Sequence, residues 1–165
     1  MTWFRRGQGP PVPPQPVERD DSPAALSARL RDLVTFVNHN AGRLPVEAVV
    51  SARRVADTVR ETLADATRDA DRGTEPDINV ILSVRGIVDD YLPTTLERYL
   101  ALDPSGTDVA RPAGGTARQS LIEQIDALWI AAADVLAAAQ ARDVDDLVSQ
   151  GNFLRTKFAG SDLDL

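Results

Sequence analysis

The chain has 165 residues, of which 43% are hydrophobic and 5% aromatic, and its formal net charge is −7. This length predicts a single domain with a buried core, and an apolar content supplied mainly by Ala, Leu and Val favours closely packed helices over sheets. The absence of cysteine excludes disulfides, thiolate metal sites and cysteine nucleophiles. Acidic charge without a basic stripe argues against a surface that binds nucleic acid.

Residues 1–21 are predicted to form a disordered, Pro-rich tail, because the sequence "GQGPPVPPQPVERDD" cannot sustain a helix or a central strand. At its tip, Thr2–Arg6 combines two aromatic residues with two arginines. We consider two interpretations of this tip: a short motif that docks on a partner or makes weak contact with a membrane, and a terminus with no attachment.

Residues 22–160 are predicted to form an all-α bundle of four to five helices. The first helix begins at Ser22, a residue type suited to capping, and ends near Asn40. The second runs from Pro45 to about Asp71, with apolar residues at spacings of three and four. This spacing predicts a coiled-coil-like seam against a nearly parallel neighbour. The seam comprises Val49, Ala52, Ala56, Val59, Leu63, Ala66 and Ala70.

The third helix is predicted to begin at an imperfect capping box formed by Thr74 and Asp77, and to continue to about Leu100. A loop follows over 103–115, where glycine and proline are frequent. A long fourth helix is predicted over 116–142, with its first residue, a threonine, as the cap.

The fourth helix is predicted to be the most buried, because Ile122, Trp129 and Leu136 widen its apolar seam. A shorter fifth helix is predicted to begin near Asp143. Residues 161–165 are predicted to be a frayed, acidic end.

No stretch of the sequence predicts a membrane span. The longest apolar run, Ala127–Ala139, is interrupted by Asp134, whereas a span needs about 20 residues. The N-terminal residues also lack the apolar core of a secretory signal. We therefore expect a cytoplasmic protein, either free or peripheral to a membrane.

The sequence contains few candidates for catalysis or metal binding. His39, the single histidine, lies at a helix end, which favours a capping or surface role. The acidic stretch 143–147 lacks the glycine of a calcium loop and follows an alanine-rich helix, so we interpret it as a helix start. Without a phosphate loop, a nucleophile elbow or a zinc-protease motif, the sequence argues against an enzyme and predicts no cofactor or metal.

The stretch "IVDDYLPTTLERYLAL", 87–102, places adjacent aspartates before a proline. At about 100° per residue, Arg85 and Asp89 fall in the middle of the predicted apolar face, whereas Asp90 points to solvent. We predict that Arg85 and Asp89, at spacing i, i+4, form an ion pair with each other, either in the interior or between helices. The alternatives are a contact with a partner and an exposed pair without a role. Pro93 is predicted to kink the helix or to separate two helices.

The same stretch resembles the Y-L-P-x-T-L-x-x-Y signature of the 5-bromo-4-chloroindolyl phosphate hydrolysis (XpaC-like) family. The matching positions are Tyr91, Leu92, Pro93, Thr95, Leu96 and Tyr99. The resemblance extends over roughly 75–160, through a loop, a long amphipathic helix and an acidic terminal helix. Members of this family often carry membrane-spanning helices before this domain, where the present chain has a Pro-rich tail.

The resemblance implies an accessory or scaffold protein, associated with helical proteins of the toxic-anion (tellurite) resistance type and with envelope stress. It carries over no catalytic residues. We therefore predict a non-enzymatic interaction protein that docks on another helical protein or on a second copy of itself. Tyr91, Pro93 and Tyr99 are predicted either to contact the partner or to support the contact surface structurally. The alternatives are a phosphate-ester hydrolase that uses Arg85 and Asp89, and a bundle that senses a small ligand.

Overall fold

The computed structural model describes residues 20–110 and 114–161, and it describes side-chain exposure up to position 142 and at positions 144, 145 and 148. Within these ranges the chain is helical apart from its connections, and no strand occurs. The predicted all-α class is therefore confirmed. Apart from Asp20 and Asp21, the predicted tail lies outside the described residues, as do residues 162–165. The elements are α1 (Pro23–His39), α2 (Val46–Asp71), α3 (Ile78–Gly86), a π-helical turn (Ile87–Tyr91), α4 (Leu92–Leu100), a 3-10 turn (Pro104–Gly106) and α5 (Ala117–Ser161).

The π-turn joins α3 to α4 without interruption, so that the described residues form four helical rods. Around the bundle, α1 packs on α2, α2 on α5, α5 on the α3–α4 rod, and that rod on α1. The parallel direction of α2 and α5 follows from their contacts, since Glu47 meets Arg118 near both starts and Arg54 lies over the Trp129 ring further along. This agrees with the nearly parallel neighbour predicted from the seam of α2.

The helix starts follow local capping chemistry. The Ser22 hydroxyl accepts from the Ala25 N–H at 3.2 Å, as predicted. At the start of α5, the Thr116 hydroxyl accepts from the Gln119 N–H at 3.1 Å and the Thr116 N–H donates to the Gln119 side chain at 2.9 Å. This reciprocal pair is a complete capping box.

The predicted capping box at the start of α3 is wrong. Asp77 is itself the N-cap, and its carboxylate accepts from the Asn79 N–H at 2.9 Å. Thr74 lies three residues earlier in the connection that follows Gly73, whose φ of 80° ends α2 in the left-handed region. The physical reason is that Asp is a strong cap by itself and needs no partner three residues before it.

The core is centred on α2, and the prediction that the helix after 116 is the most buried is wrong. Five of the seven seam residues of α2 are buried, whereas Trp129 on α5 is 38% exposed, with the Arg54 guanidinium lying over its ring. α5 is also much longer than the bundle. Its 45 residues span about 68 Å, against about 39 Å for the 26 residues of α2. The buried residues of α2 are Ala48, Ser51, Ala52, Val55, Ala56, Val59, Thr62, Leu63, Asp65 and Ala66.

The predicted fourth and fifth helices form a single helix, and the break expected near Asp143 is absent. No glycine or proline lies in α5 before Gly151, and an aspartate inside a helix costs only a few tenths of a kcal/mol. Arg142 pairs with Asp77 at 2.6 Å, where α3 begins at one end of the bundle. α5 therefore continues past that end, where Val144 and Val148 are largely exposed.

Candidate functional site

The π-turn accommodates Pro93 inside one continuous rod. The sequence leaves open whether Pro93 kinks one helix or separates two, and the structure shows that it does not separate them. Pro93 has no N–H, so it cannot donate to the carbonyl four residues earlier. At the residue before it, the Leu92 N–H donates to the Ile87 carbonyl, five residues back. The wider turn makes room for the proline inside one continuous rod.

The π-turn also aligns two apolar faces that a regular helix would not align. The buried residues of α3 and the turn centre on Val84, whereas Leu92 and Leu96 would lie about 100° from that direction in a regular helix. A π-turn contains one extra residue, which takes up about that angle. Leu92 and Leu96 are accordingly 1% and 0% exposed.

This change of phase corrects the prediction for Arg85 and Asp89. Both were expected in the middle of the apolar face, but they lie on its flank, where the α3–α4 rod meets α1. A uniform helical period would also place Ile78 and Leu82 on the apolar face, but they are 63% and 45% exposed. Asp90 is exposed, as predicted.

Four alternating charges form what we call the ion-pair chain: Arg85, Asp21, Arg29 and Asp89. Arg85 Nη1 lies 2.8 Å from Asp21 Oδ2, and Arg29 Nη2 lies 3.1 Å from Asp21 Oδ1. Arg29 Nε lies 3.2 Å from Asp89 Oδ1. The predicted ion pair between Arg85 and Asp89 is absent among the described residues, since Arg85 pairs with Asp21 and Asp89 pairs with Arg29 instead.

The ion-pair chain is electrically neutral and partly enclosed. Asp89 has 16% of its side chain exposed. Asp89 Oδ2 and Arg29 Nε are buried, and neither forms a hydrogen bond within the part of the chain that the structure describes. The hydrogen bond from Arg85, followed by that from Arg29, holds the pKa of Asp21 below its ordinary value of 3.8. Each guanidinium already faces a carboxylate, so the cluster has no excess positive charge with which to bind a phosphate ester.

Two members of the ion-pair chain, Asp21 and Arg29, could hardly be identified from sequence. Asp21 lies in the predicted tail, although it directly precedes the cap of α1. Arg29 lies three residues after Leu26, on the flank of the apolar stripe of α1. Such a flanking position is compatible with an interhelical ion pair, but only the packing of α1 on the rod identifies the partner.

On the other side of the π-turn, an open apolar cavity of about 490 Å³ lies between the rod and α5. We call this cavity the groove. Its rod wall consists of Leu82, Ser83, Gly86, Ile87 and Tyr91. Its α5 wall consists of Leu128, Ala131 and Val135.

Tyr91 forms one side of the groove, and its ring packs closely over Gly86. A Cβ atom added to Gly86 would lie 3.1 Å from the Tyr91 ring, so that an alanine would force the ring to shift. The ring covers Gly86 but remains 58% exposed. The groove thus presents an aromatic ring to solvent beside aliphatic walls.

The second predicted tyrosine lies elsewhere. Tyr99 is half-buried against the core and contributes to two smaller clefts at the α4–α5 end of the bundle. Nearby, the Arg43 guanidinium donates to the Leu100 carbonyl at 2.8 Å and ties the α1–α2 connection to the end of α4. Tyr99 therefore supports the fold, whereas Tyr91 lines the groove.

The remaining candidates do not assemble a reactive centre in the described ranges. His39 is exposed at the last position of α1, in agreement with its predicted surface role. Positions 143–147 lie inside α5, so the prediction that they start a helix is wrong. Among the residues whose side chains the structure describes, no three His, Cys, Asp or Glu are grouped so as to hold a metal ion.

The chain matches no protein-family model, and neither the curated proteins nor the solved structures with which it was compared include a match. None of the described helices combines the length and the apolar character that crossing a membrane requires.

Proposed function

We propose that this protein is a non-enzymatic accessory protein that binds an amphipathic helix of another protein in the groove. The observation that carries this proposal is the open apolar cavity beside the π-turn, with Leu82 45% exposed and Tyr91 58% exposed at its walls. Helices bind to such grooves through apolar residues at spacings of three and four. Large apolar side chains exposed together are typical of interaction sites.

The resemblance of 87–102 to the XpaC-like signature suggests the partner, namely a long helical protein of the toxic-anion resistance type. In this proposal, the residues that match the signature have two roles. Pro93 and Leu92 support the π-turn and the core, and Tyr91 contacts the partner. The ion-pair chain holds the rod against α1 and does not react.

Site-specific photo-crosslinking in cells tests the proposal. A photo-reactive residue at Leu82, in the groove, should crosslink to a discrete helical protein, and the same residue at Ala137, on the opposite face of α5, should not. Ala131→Arg places a charge in the groove and should abolish the crosslink from position 82. Ala137→Arg is the matched control, because it makes the same change at another exposed position of the same helix. Equal crosslinking from both positions, or a crosslink that survives Ala131→Arg in a folded protein, would contradict the proposal.

A second candidate function is binding of an apolar small molecule, and the size of the groove favours it. A volume of about 490 Å³ falls within the range of about 300–1,000 Å³ typical of ligand sites. Thermal-shift measurements with apolar compounds would then show stabilisation that Ala131→Arg removes and Ala137→Arg leaves unchanged.

No comparable observation favours a phosphate-ester hydrolase, since Arg85 and Asp89 each face an opposite charge.

A further inference from the structure

We propose that the N-terminal tip of this same chain, Trp3 and Phe4, occupies the groove in cis. Displacement of the tip would then make the groove available to the partner. This regulatory consequence depends on the proposed function, but occupation of the groove by the tip does not.

The position of Asp21 supports this proposal. Asp21 is bound to Arg85 at 2.8 Å and to Arg29 at 3.1 Å, so the chain enters the bundle beside the rod that forms one wall of the groove. Arg85 directly precedes Gly86, which lines the groove. The ion-pair chain therefore fixes the end of the preceding segment on the α1 side of the rod, across the π-turn from the groove, and not at a distant end of the bundle.

The preceding segment is long enough to reach the groove. Sixteen residues separate Phe4 from Asp21. Even at the polyproline II rise of about 3.1 Å per residue, they can span about 50 Å, whereas the rod wall from Leu82 to Tyr91 is only about 14 Å long. A tether of this kind gives an effective concentration on the order of 1 mM. A tip with an intrinsic Kd of about 0.1 mM would then occupy the groove in roughly ten of eleven molecules.

The chemistry of the tip complements that of the groove. Trp3 and Phe4 supply two large apolar rings for a cavity with aliphatic and aromatic walls. The next two residues are Arg5 and Arg6. Two exposed carboxylates, Asp90 and Asp134, directly precede the groove residues Tyr91 and Val135 in the sequence and carry the opposite charge.

Tryptophan fluorescence of the full chain tests this inference without a partner. The protein has two tryptophans, so Trp129→Phe leaves Trp3 as the single reporter. In that background, acrylamide should quench Trp3 about tenfold less efficiently than in the same protein carrying Ala131→Arg, because only about one molecule in eleven would have a free tip. Ala137→Arg should leave the quenching low. Ser83→Arg is a second variant of the groove, in case Ala131→Arg does not fold.

Three results would overturn the inference. Trp3 that is quenched equally in the parent and in both groove variants would show that the tip is not in the groove. Protection of Trp3 that increases with protein concentration would assign the groove to the tip of a second copy. Protection that arises only when anionic lipid vesicles are added would assign the tip to a membrane surface. The quenching of Trp3 tests occupation of the groove by the tip, whereas the crosslink from position 82 to a helical protein tests the proposed function. Failure of one is therefore distinguishable from failure of the other.

Discussion

Deletion of Asp90 should convert the π-turn into regular α-helix, and the outcome should depend on Pro93. The extra residue of the π-turn is what aligns Leu92 and Leu96 with the buried face of α3, so removing one residue there keeps both leucines in the core. The deletion places Pro93 in the interior of a regular helix, however, where it lacks an N–H and its ring clashes with the preceding turn. This should lower the free energy of unfolding by about 3 kcal/mol.

Combining the deletion with Pro93→Ala should restore the free energy of unfolding to within about 1 kcal/mol of the parent, since alanine fits the regular helix. Pro93→Ala alone should have a small effect, because the π-turn already accommodates either residue. The coupling between the two changes would then be about 3 kcal/mol in a double-mutant cycle. Urea denaturation followed by far-ultraviolet circular dichroism provides the four values.

The matched control is deletion of Ser83, which is exposed and lies in the regular part of the same rod. Removing Ser83 rotates the preceding part of α3 by about 100° relative to the rest of the rod. It takes Val80 and Ile81 out of the core, so Pro93→Ala should not rescue it. If deletion of Asp90 remains as destabilising with Pro93→Ala as without it, then the π-turn does not set the phase of the rod.

Two further predictions concern the ion-pair chain. Asp89→Ala should lower the free energy of unfolding by about 1–3 kcal/mol, because it leaves the buried Nε of Arg29 without its carboxylate, Asp21 facing only Nη2. Asp90→Ala should change the free energy of unfolding by less than about 0.5 kcal/mol, because Asp90 is exposed; equal values for the two variants in urea denaturation would contradict this. The pKa of Asp21 is lowered in the folded state by Arg85, so its stabilising effect is present above the unfolded value of 3.8 and is lost as the pH falls through the folded pKa. The difference in stability between the parent and Asp21→Asn should therefore be constant near neutral pH and shrink below pH 3.8, and a difference that grows in acid would refute the assignment.

The sequence predicts the helical class and most helix ends of this protein because those features depend on local chemistry. Ser22 and Thr116 cap their helices with their own hydroxyls, and the α2 seam repeats at spacings that only a helix places on one face. The prediction of a helix break near Asp143 was wrong for a related reason. An acidic cluster suits a helix start, but it does not prevent an alanine-rich helix from continuing.

The phase of the α3–α4 rod could not be predicted from uniform periodicity. A single period of 3.6 residues through 78–100 assigns Ile78 and Leu82 to the core and centres the face on Arg85 and Asp89. The observed rod follows that period on each side of the π-turn, but with one residue added between the two parts. Pro93 was the available signal, since its missing N–H disfavours a regular turn at that point. The ionic partners depend on packing between distant segments, which no periodicity encodes.

The glycine at position 86 links the π-turn to the groove. A glycine inside a helix is unfavourable by about 1 kcal/mol relative to alanine, so its presence calls for a compensating contact. In a regular helix the ring of Tyr91 would lie over residues three and four positions earlier. In this protein it lies over Gly86, five positions earlier, which is the spacing that a π-turn brings together. The residue added for Pro93 therefore also positions the aromatic wall of the groove, and the same local feature accounts for the buried leucines on one side and the exposed tyrosine on the other.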